Sequence, residues 1–333
     1  MMQTANRDMF PTEATFALYP RIRSLLENAA IDDAFKRHEA LAVRGKRDYH
    51  LFGRISILLI ALSSVYNVAE GLVLPVFAGR FYVAFAMALA AALGIALQAY
   101  ILFSHAKRRW LINRFACERL RSLKFQAYAH AAAAASEEDL ARTVSAWTSG
   151  ELVRLENELN AGMSLLDTFV PAKALIAPPS PEAPGPLAAD ALAAFKELRI
   201  AYQERFAASE LHRLGENRRI LNSSADLLYL SGASLVFASL IAKILAAPDI
   251  GRWADFLAVT SFIAGISKTV LENATLSDPS TTRFERYRQD ILDTSYAASS
   301  DAALAETVVR MERLALEELD DFARASKTIS YRL

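Results

Sequence analysis

Four apolar blocks constrain this chain more than any other feature. They are Ile55–Phe77, Phe81–Phe103, Leu227–Ala247 and Trp253–Leu271. Each is 19–23 residues long, enough for a helix to cross roughly 30 Å of hydrocarbon at about 1.5 Å per residue. Within each pair the connection is very short, "AGR" in the first and "PDIGR" in the second, and Pro248 is expected to stop a helix. Two apolar helices joined this tightly read as a transmembrane hairpin. Burying four such blocks in a soluble core is the alternative, and 333 residues provide little material to cover them. The expected fold is an all-α membrane protein, with four transmembrane helices as two hairpins plus long cytoplasmic amphipathic helices.

Lys and Arg near the ends of the blocks set the orientation. Lys36, Arg37, Arg44, Lys46, Arg47 and Arg54 precede the first block, and Lys107, Arg108, Arg109, Arg114 and Arg119 follow the second. Arg213, Arg218 and Arg219 precede the third, and Arg283, Arg286 and Arg288 follow the fourth. Each hairpin loop carries one cation, Arg80 or Arg252. The long segments and both termini are therefore expected on the cytoplasmic side. Phe81, Tyr82, Trp110 and Trp253 sit where interfacial aromatic anchors belong. The first residues show no basic-then-apolar signal pattern, so internal helices are expected to direct insertion. Acids and bases balance at 37 each, which gives no reason to expect nucleic acid as a partner.

The remaining segments read as helices separated by one linker. Residues 1–50 form an N-terminal segment and entry helix, and 51–104 the first hairpin. Residues 105–170 are cytoplasmic helices, with a helix start at "SEED" near Ser136. Leu152, Leu155, Leu159, Met163 and Leu166 form a stripe spaced for a partner helix. Residues 171–187 hold six prolines between Pro171 and Pro186, so a linker is expected there. A second entry helix (188–226), the second hairpin (227–272) and a helical tail (273–333) complete the chain. In the tail Leu304, Val308, Met311, Leu314 and Leu319 recur at helical spacing. The order of elements repeats on the two sides of the linker, as a duplicated two-span unit would.

Polar residues inside the blocks are the candidate functional residues. At 100° per residue, Ser56, Ser63, Asn67 and Glu70 fall within an arc of about 60° on the first helix. Ser261, Gly265, Lys268 and Glu272 form a shorter stripe on the fourth, and Lys243 lies in the third at a depth similar to Glu70. Ionisable groups at such depths face a bundle interior or a water-filled cavity. Ala84, Ala88, Ala92 and Ala96 repeat every four residues on the second helix, which permits close approach to a neighbour. Three readings of the polar stripe stay open. It lines a pore between assembled chains, or it binds neighbouring helices without conduction, or Glu70 pairs with Lys243. A solute transporter fits less well, because Gly- or Pro-broken helices are missing from the blocks.

No phosphate-binding, dinucleotide-binding, zinc-protease or nucleophile-elbow motif occurs. No cofactor, metal site or catalytic residue is expected, and most Asp and Glu read as solvated helix faces. The single cysteine, Cys117, excludes an intrachain disulfide and reads as a packed thiol.

Three stretches carry a family resemblance. "LRIAYQERFAASELHRLGENRRILNSSADLLYL" is similar to the entry helix of the SMODS and SLOG-associating two-transmembrane effector (SLATT) domains, with Arg199, Gln203 and Asn217 matching. "KRRWLINRFACERLRSLKFQAY" resembles the exit of related domains, through Trp110, Arg114 and Glu118. "VVRMERLALEELDDF" resembles their glutamate-bearing closing helix, through Glu312 and Glu317. The second exit, "TRFERYRQDI", departs by carrying Tyr287 where a tryptophan is usual. The resemblance covers roughly residues 35–330 as two tandem copies. It implies an oligomeric, pore-forming membrane effector of a bacterial conflict or anti-phage defence system. A separate nucleotide-producing or nucleotide-sensing protein would supply the trigger. The same features without a pore describe a membrane scaffold whose cytoplasmic helices recruit partners. The four-span arrangement predicts that reporters fused at Gly79 and at Pro184 register opposite sides of the membrane; the same side for both is incompatible with it.

Overall fold

The computed structural model describes residues 6–72, 80–175, 185–215, 248–275, 278–299 and 303–328, with Ser234 and Ile241 singly. The described residues are helical, with no strand among them. The main helices are α1 (Ala29–Leu72), α2 (Arg80–Phe103), α3 (Ala106–Gln126), α4 (Glu137–Leu159), α5 (Ala188–Phe195), α6 (Pro248–Thr275), α7 (Asp278–Ser299) and α8 (Leu304–Thr328). A π-helical turn, Lys196–Ile200, carries α5 into a further helical stretch over 201–215.

Local chemistry sets several of these boundaries. Ser136 takes an extended conformation and its hydroxyl accepts the Asp139 N–H, so α4 starts where "SEED" predicts. Gly162 adopts φ +63° just after α4, and a Cβ there would stand 2.5 Å from the Arg108 guanidinium. Both facts favour glycine at this turn. Pro248 was expected to end a helix; instead it is the first residue of α6. Its missing N–H is harmless in a first turn, so "PDIGR" is helical.

The chain divides into two compact units. A helical unit gathers Met1–Arg44, Arg108–His212 and Pro279–Lys327; a hairpin unit gathers Gly45–Lys107 and Arg213–Asp278, with Thr328–Leu333. The non-apolar segments on both sides of the proline-rich stretch therefore fall in one unit. The linker is also docked at its ends. Pro171–Ala174 is a 3-10 turn whose Ala174 carbonyl accepts from Arg119 and Gln126, and the Gly185 N–H donates to Ala132 O at 2.7 Å. Residues 176–184 lie outside the described residues.

In the helical unit, α3 is the central element. Phe115, Ala116, Cys117, Leu120, Leu123 and Phe125 are all buried, so the helix is enclosed on every side. One core cluster joins Cys117, Leu120 and Leu123 to Met9, Ile31, Ala34, Phe35 and Leu155. Leu152 and Leu159 pack against that cluster, and Leu166 is buried. The stripe on α4 thus finds its partner within the chain. On α8 the expected face is buried at Leu304, Val308, Met311 and Leu319.

In the hairpin unit, α1 and α2 are each long and apolar enough to cross a membrane, with mean hydropathies of 1.6 and 2.0 over their most apolar windows. Only 22% and 11% of those windows are buried. A core helix of a soluble protein hides most of such a surface, whereas here Leu58, Leu62, Phe85, Leu89, Leu93 and Ile95 are exposed. α6 contains a shorter apolar run, Asp255–Ser267. The third apolar block lies outside the described residues apart from Ser234 and Ile241.

α1 and α2 meet through Gly94, not through the alanine repeat. Ala88, Ala92 and Ala96 are exposed, and Ala84 is half-buried. A Cβ on Gly94 would stand 2.9 Å from Ile60 Cγ1 and 3.2 Å from the Ser56 carbonyl oxygen. Gly94→Val should therefore destabilise the hairpin by about 1–3 kcal/mol, measured as a lower melting temperature of the detergent-solubilised protein. An unchanged melting temperature contradicts this packing.

Candidate functional site

The polar stripe on α1 separates into two parts. Ser56 is fully buried and its hydroxyl lies 2.9 Å from Gly94 O and 3.0 Å from Gln98 Oε1. Ser63 is buried too, with its hydroxyl 2.8 Å from Met87 O and 2.9 Å from its own helix's Leu59 O. Both serines tie α1 to backbone carbonyls of α2. Asn67 differs: it is exposed within the apolar block of α1. Glu70, one turn further, is half-buried. Lys243 lies outside the described residues, and so does any pairing between it and Glu70. Ser261 is half-buried on α6; Lys268 belongs to the same helix, with its side-chain surroundings outside the described residues.

The helical unit holds a second polar arrangement, built from buried charges. Arg199, at the π-helical turn, is 1% exposed and meets Glu312 of α8 in a bidentate pair at 2.6 and 2.9 Å. Its guanidinium lies 4.9 Å from the Phe125 ring centroid. Tyr287 of α7 donates to Gln203 at 3.2 Å. Arg283 of α7 faces Glu318 of α8 at 3.1 Å. The residues that carry the family resemblance in the second half therefore converge, with two differences. The exposed Glu317 takes no part, its place being taken by Glu318. Asn217 lies outside the described residues.

The first half adds a matching set on α3. Arg121 Nη1 donates to both oxygens of Glu118, at 2.6 and 2.8 Å, and Arg114 reaches the same carboxylate at 2.5 Å. Burial opposes the charge on Glu118, but Arg114 and Arg121 outweigh it and hold its pKa down to about 2. Lys124 donates to Asp32 at 2.8 Å and to the Met9 carbonyl at 2.5 Å. Arg119 reaches Glu158 of α4 at 3.4 Å. The N-terminal segment is pinned by these cations. Asn6 accepts from Arg121 at 2.7 Å and donates to Glu39, and Asp8 sits 2.9 Å from Arg121 Nε and 4.0 Å from Arg199 Nη1.

Asp8 is close to both guanidinium groups yet poorly aligned with them. Neither of its oxygens, nor Arg121 Nε nor Arg199 Nη1, makes a hydrogen bond among the described residues. Burial pushes the Asp8 carboxyl above its usual range, against the pull of both arginines. Beside it lies a cleft of about 630 Å³ lined by Arg7, Thr12, Thr15, Tyr202 and Phe206 among others. Among the described residues no group of three or more His, Cys, Asp or Glu is placed to hold a metal ion. Cys117 is buried, and burial raises its thiol to about 12, which leaves it protonated and unreactive.

Most Asp and Glu read as solvated from the sequence, yet Asp8 and Asp32 are buried, as are Arg119, Arg121 and Lys124 of α3. The signal lay in "RFACERLRSLKFQ", where apolar residues occupy every side of the helix. A helix enclosed all round must bury its charges with its phenylalanines. Neither known protein families, nor characterised proteins, nor solved structures give a match to this chain.

Glu318 supplies a pH signature. Its side chain is 17% exposed, and burial raises its carboxyl to about 7 despite Arg283. An unfolded glutamate titrates near 4.3. The folded chain thus retains a proton that the unfolded chain releases between those values. This stabilisation is complete below pH of about 4.3 and is lost as pH rises through about 7. The full range amounts to about 4 kcal/mol. Glu318→Gln should remove this dependence. Between pH 6 and 8 the wild type should lose on the order of 2 °C in Tm relative to the variant. Parallel melting curves for the two proteins rule this assignment out.

Proposed function

We propose that this chain is a membrane effector that assembles into an oligomeric pore in a bacterial inner membrane. Four helices span, both termini are cytoplasmic, and a separate nucleotide-linked protein supplies the trigger. The resemblance to SLATT effectors, as two tandem copies, motivates the conflict-system setting.

The exposure of Asn67 carries the reading. A polar side chain facing hydrocarbon leaves donors and acceptors unsatisfied, at a cost of several kcal/mol. Ser56 and Ser63 avoid that cost inside the hairpin. Asn67 faces outward, so a second copy of the chain or water in a conducting path is the natural partner. Glu70, half-buried one turn away, continues the same polar surface. The alanines exposed on α2 support close contact between copies.

The internal bonding of the two serines favours a second reading. A scaffold needs a stable hairpin and nothing that conducts, and those two residues supply only stability. Dye release from liposomes containing the purified full-length protein separates the readings. The pore predicts release at least tenfold faster than from empty liposomes, and a return to near that background with Asn67→Leu. Intact oligomers that release no dye are the scaffold's result. Release unaffected by Asn67→Leu removes Asn67 from the path.

A further inference from the structure

The cleft beside Asp8 lies wholly within the helical unit, between the N-terminal segment and the helical stretch that follows the π-helical turn. Its volume, about 630 Å³, is that of a small-molecule site. Leu198, Tyr202 and Phe206 recur every four residues and form an apolar stripe along one wall. Four residues advance a helix about 6 Å, so the stripe is about 12 Å long. Arg205 stands on the same wall, and Arg7 belongs to the other. Both arginines are exposed, and neither has an ion pair among the described residues. Arg205 donates its Nε–H to the Ala201 carbonyl at 3.0 Å, which leaves its terminal nitrogens for another acceptor. The two rim carboxylates are already engaged: Glu197 accepts from Tyr19 at 3.1 Å, and Glu210 has an interaction of its own.

The buried end of the cleft has an unmet demand of a different kind. Asp8, Thr15 and Leu198 are its buried lining residues. Asp8 Oδ1 and Oδ2, Arg121 Nε and Arg199 Nη1 make no hydrogen bond among the described residues, although all four atoms are buried. Acceptors and donors thus stand unsatisfied at one place, which is costly unless something meets them. A simple ion satisfies only one kind; an amide or a hydroxyl both donates and accepts. The π-helical turn runs along this cleft through Glu197 and Leu198, and such turns recur at functional sites. We infer that the cleft binds a small organic anion with an apolar body and an amide or hydroxyl group. Arg7 and Arg205 take the anionic end, the stripe holds the body, and the amide or hydroxyl meets the carboxyl of Asp8.

The test uses the full-length protein in neutral detergent and N-acetylphenylalanine, a probe that joins carboxylate, amide and ring. A ligand-observed NMR titration should show one saturable site per chain, with a Kd of about 1 mM or tighter. 3-Phenylpropanoate lacks the amide, and N-acetylphenylalaninamide lacks the charge; each should bind at least about tenfold more weakly. Arg7→Gln with Arg205→Gln should weaken binding of the probe by about tenfold or more. Both side chains are exposed, so the double variant should keep the wild-type melting temperature. Arg142→Gln removes an exposed arginine of α4 that is not part of the cleft, and should change binding by less than about twofold. The same detergent serves every protein, so partition of the probe into micelles cancels. Absence of a saturable site overturns the inference. Binding that survives the double variant, or falls equally in Arg142→Gln, places the probe elsewhere or reduces it to bulk charge attraction, and overturns it too. Equal binding of 3-phenylpropanoate leaves the unsatisfied groups around Asp8 unused, with the same consequence. If the double variant does not accumulate, Arg205→Gln alone should still lose more affinity than Arg142→Gln.

Discussion

The buried charges around α3 are the constraint on which the helical unit depends. Arg121, Lys124, Arg199 and Glu312 are removed from water, and each is tolerable only while its partner is present. Removing one member of such a pair strands the other at a cost of about 3–5 kcal/mol. The partners come from distant parts of the chain: Asn6 and Asp8 at the N-terminus, Asp32 on α1, Glu118 on α3 itself and Glu312 on α8. Hydrophobic burial alone would accept many arrangements of these helices. Directional pairing of fixed charges accepts far fewer. The bidentate fork between Arg199 and Glu312 sets register and rotation together. Its placement at a π-helical turn shows how the local backbone accommodates that demand.

The hairpin unit solves a different problem with weaker interactions. An apolar helix in lipid gains little by exchanging lipid for another apolar helix. Specificity must come from close approach and from polar groups, and both occur along the same face. Gly94 brings the backbones together, and the hydroxyls of Ser56 and Ser63 reach across that gap to carbonyls of α2. Each serine lies within reach of a carbonyl that already serves its own helix. The hairpin is therefore held without sacrificing any helical hydrogen bond, and its outer surfaces remain free for lipid or for another copy.

Much of this architecture is legible in the sequence because it depends on periodicity and punctuation. The apolar windows of α1 and α2, the cap at Ser136 and the buried face of α8 all follow from short-range patterns. What was not legible depends on tertiary enclosure. The spacing of Ala84, Ala88, Ala92 and Ala96 is a valid small-residue repeat, yet the glycine at 94 allows a closer approach and takes the contact. The stripe on α4 was readable as a partner face, but nothing in its spacing says that α3 and the segment around Phe10 fill it. Burial of the charges on α3 was not read from the sequence, because it depends on which neighbours enclose the helix. Arg199 and Glu312 meet across the sequence, as do Gln203 and Tyr287, and no local pattern announces either contact.

The two units treat their polar residues in opposite ways. In the helical unit the buried charges named above face counter-charges, and Asp8 lies close to two guanidinium groups without a hydrogen bond to either. In the hairpin unit the polar groups nearest the basic end of α1 are satisfied internally, while those toward its other end, Asn67 and Glu70, are less covered. A helix built only to anchor a soluble unit gains nothing from that gradient, because leucine at position 67 would insert at lower cost. Retaining asparagine there is intelligible if the surface meets something other than acyl chains. Arg54 is the last cation before the apolar block that begins at Ile55, and it gives a reference point for the depth of Asn67. About 13 residues separate Arg54 from Asn67, or roughly 20 Å along the axis. In an α1 that spans, the exposed amide falls well inside a hydrocarbon layer of roughly 30 Å, where only another polar surface or water satisfies it.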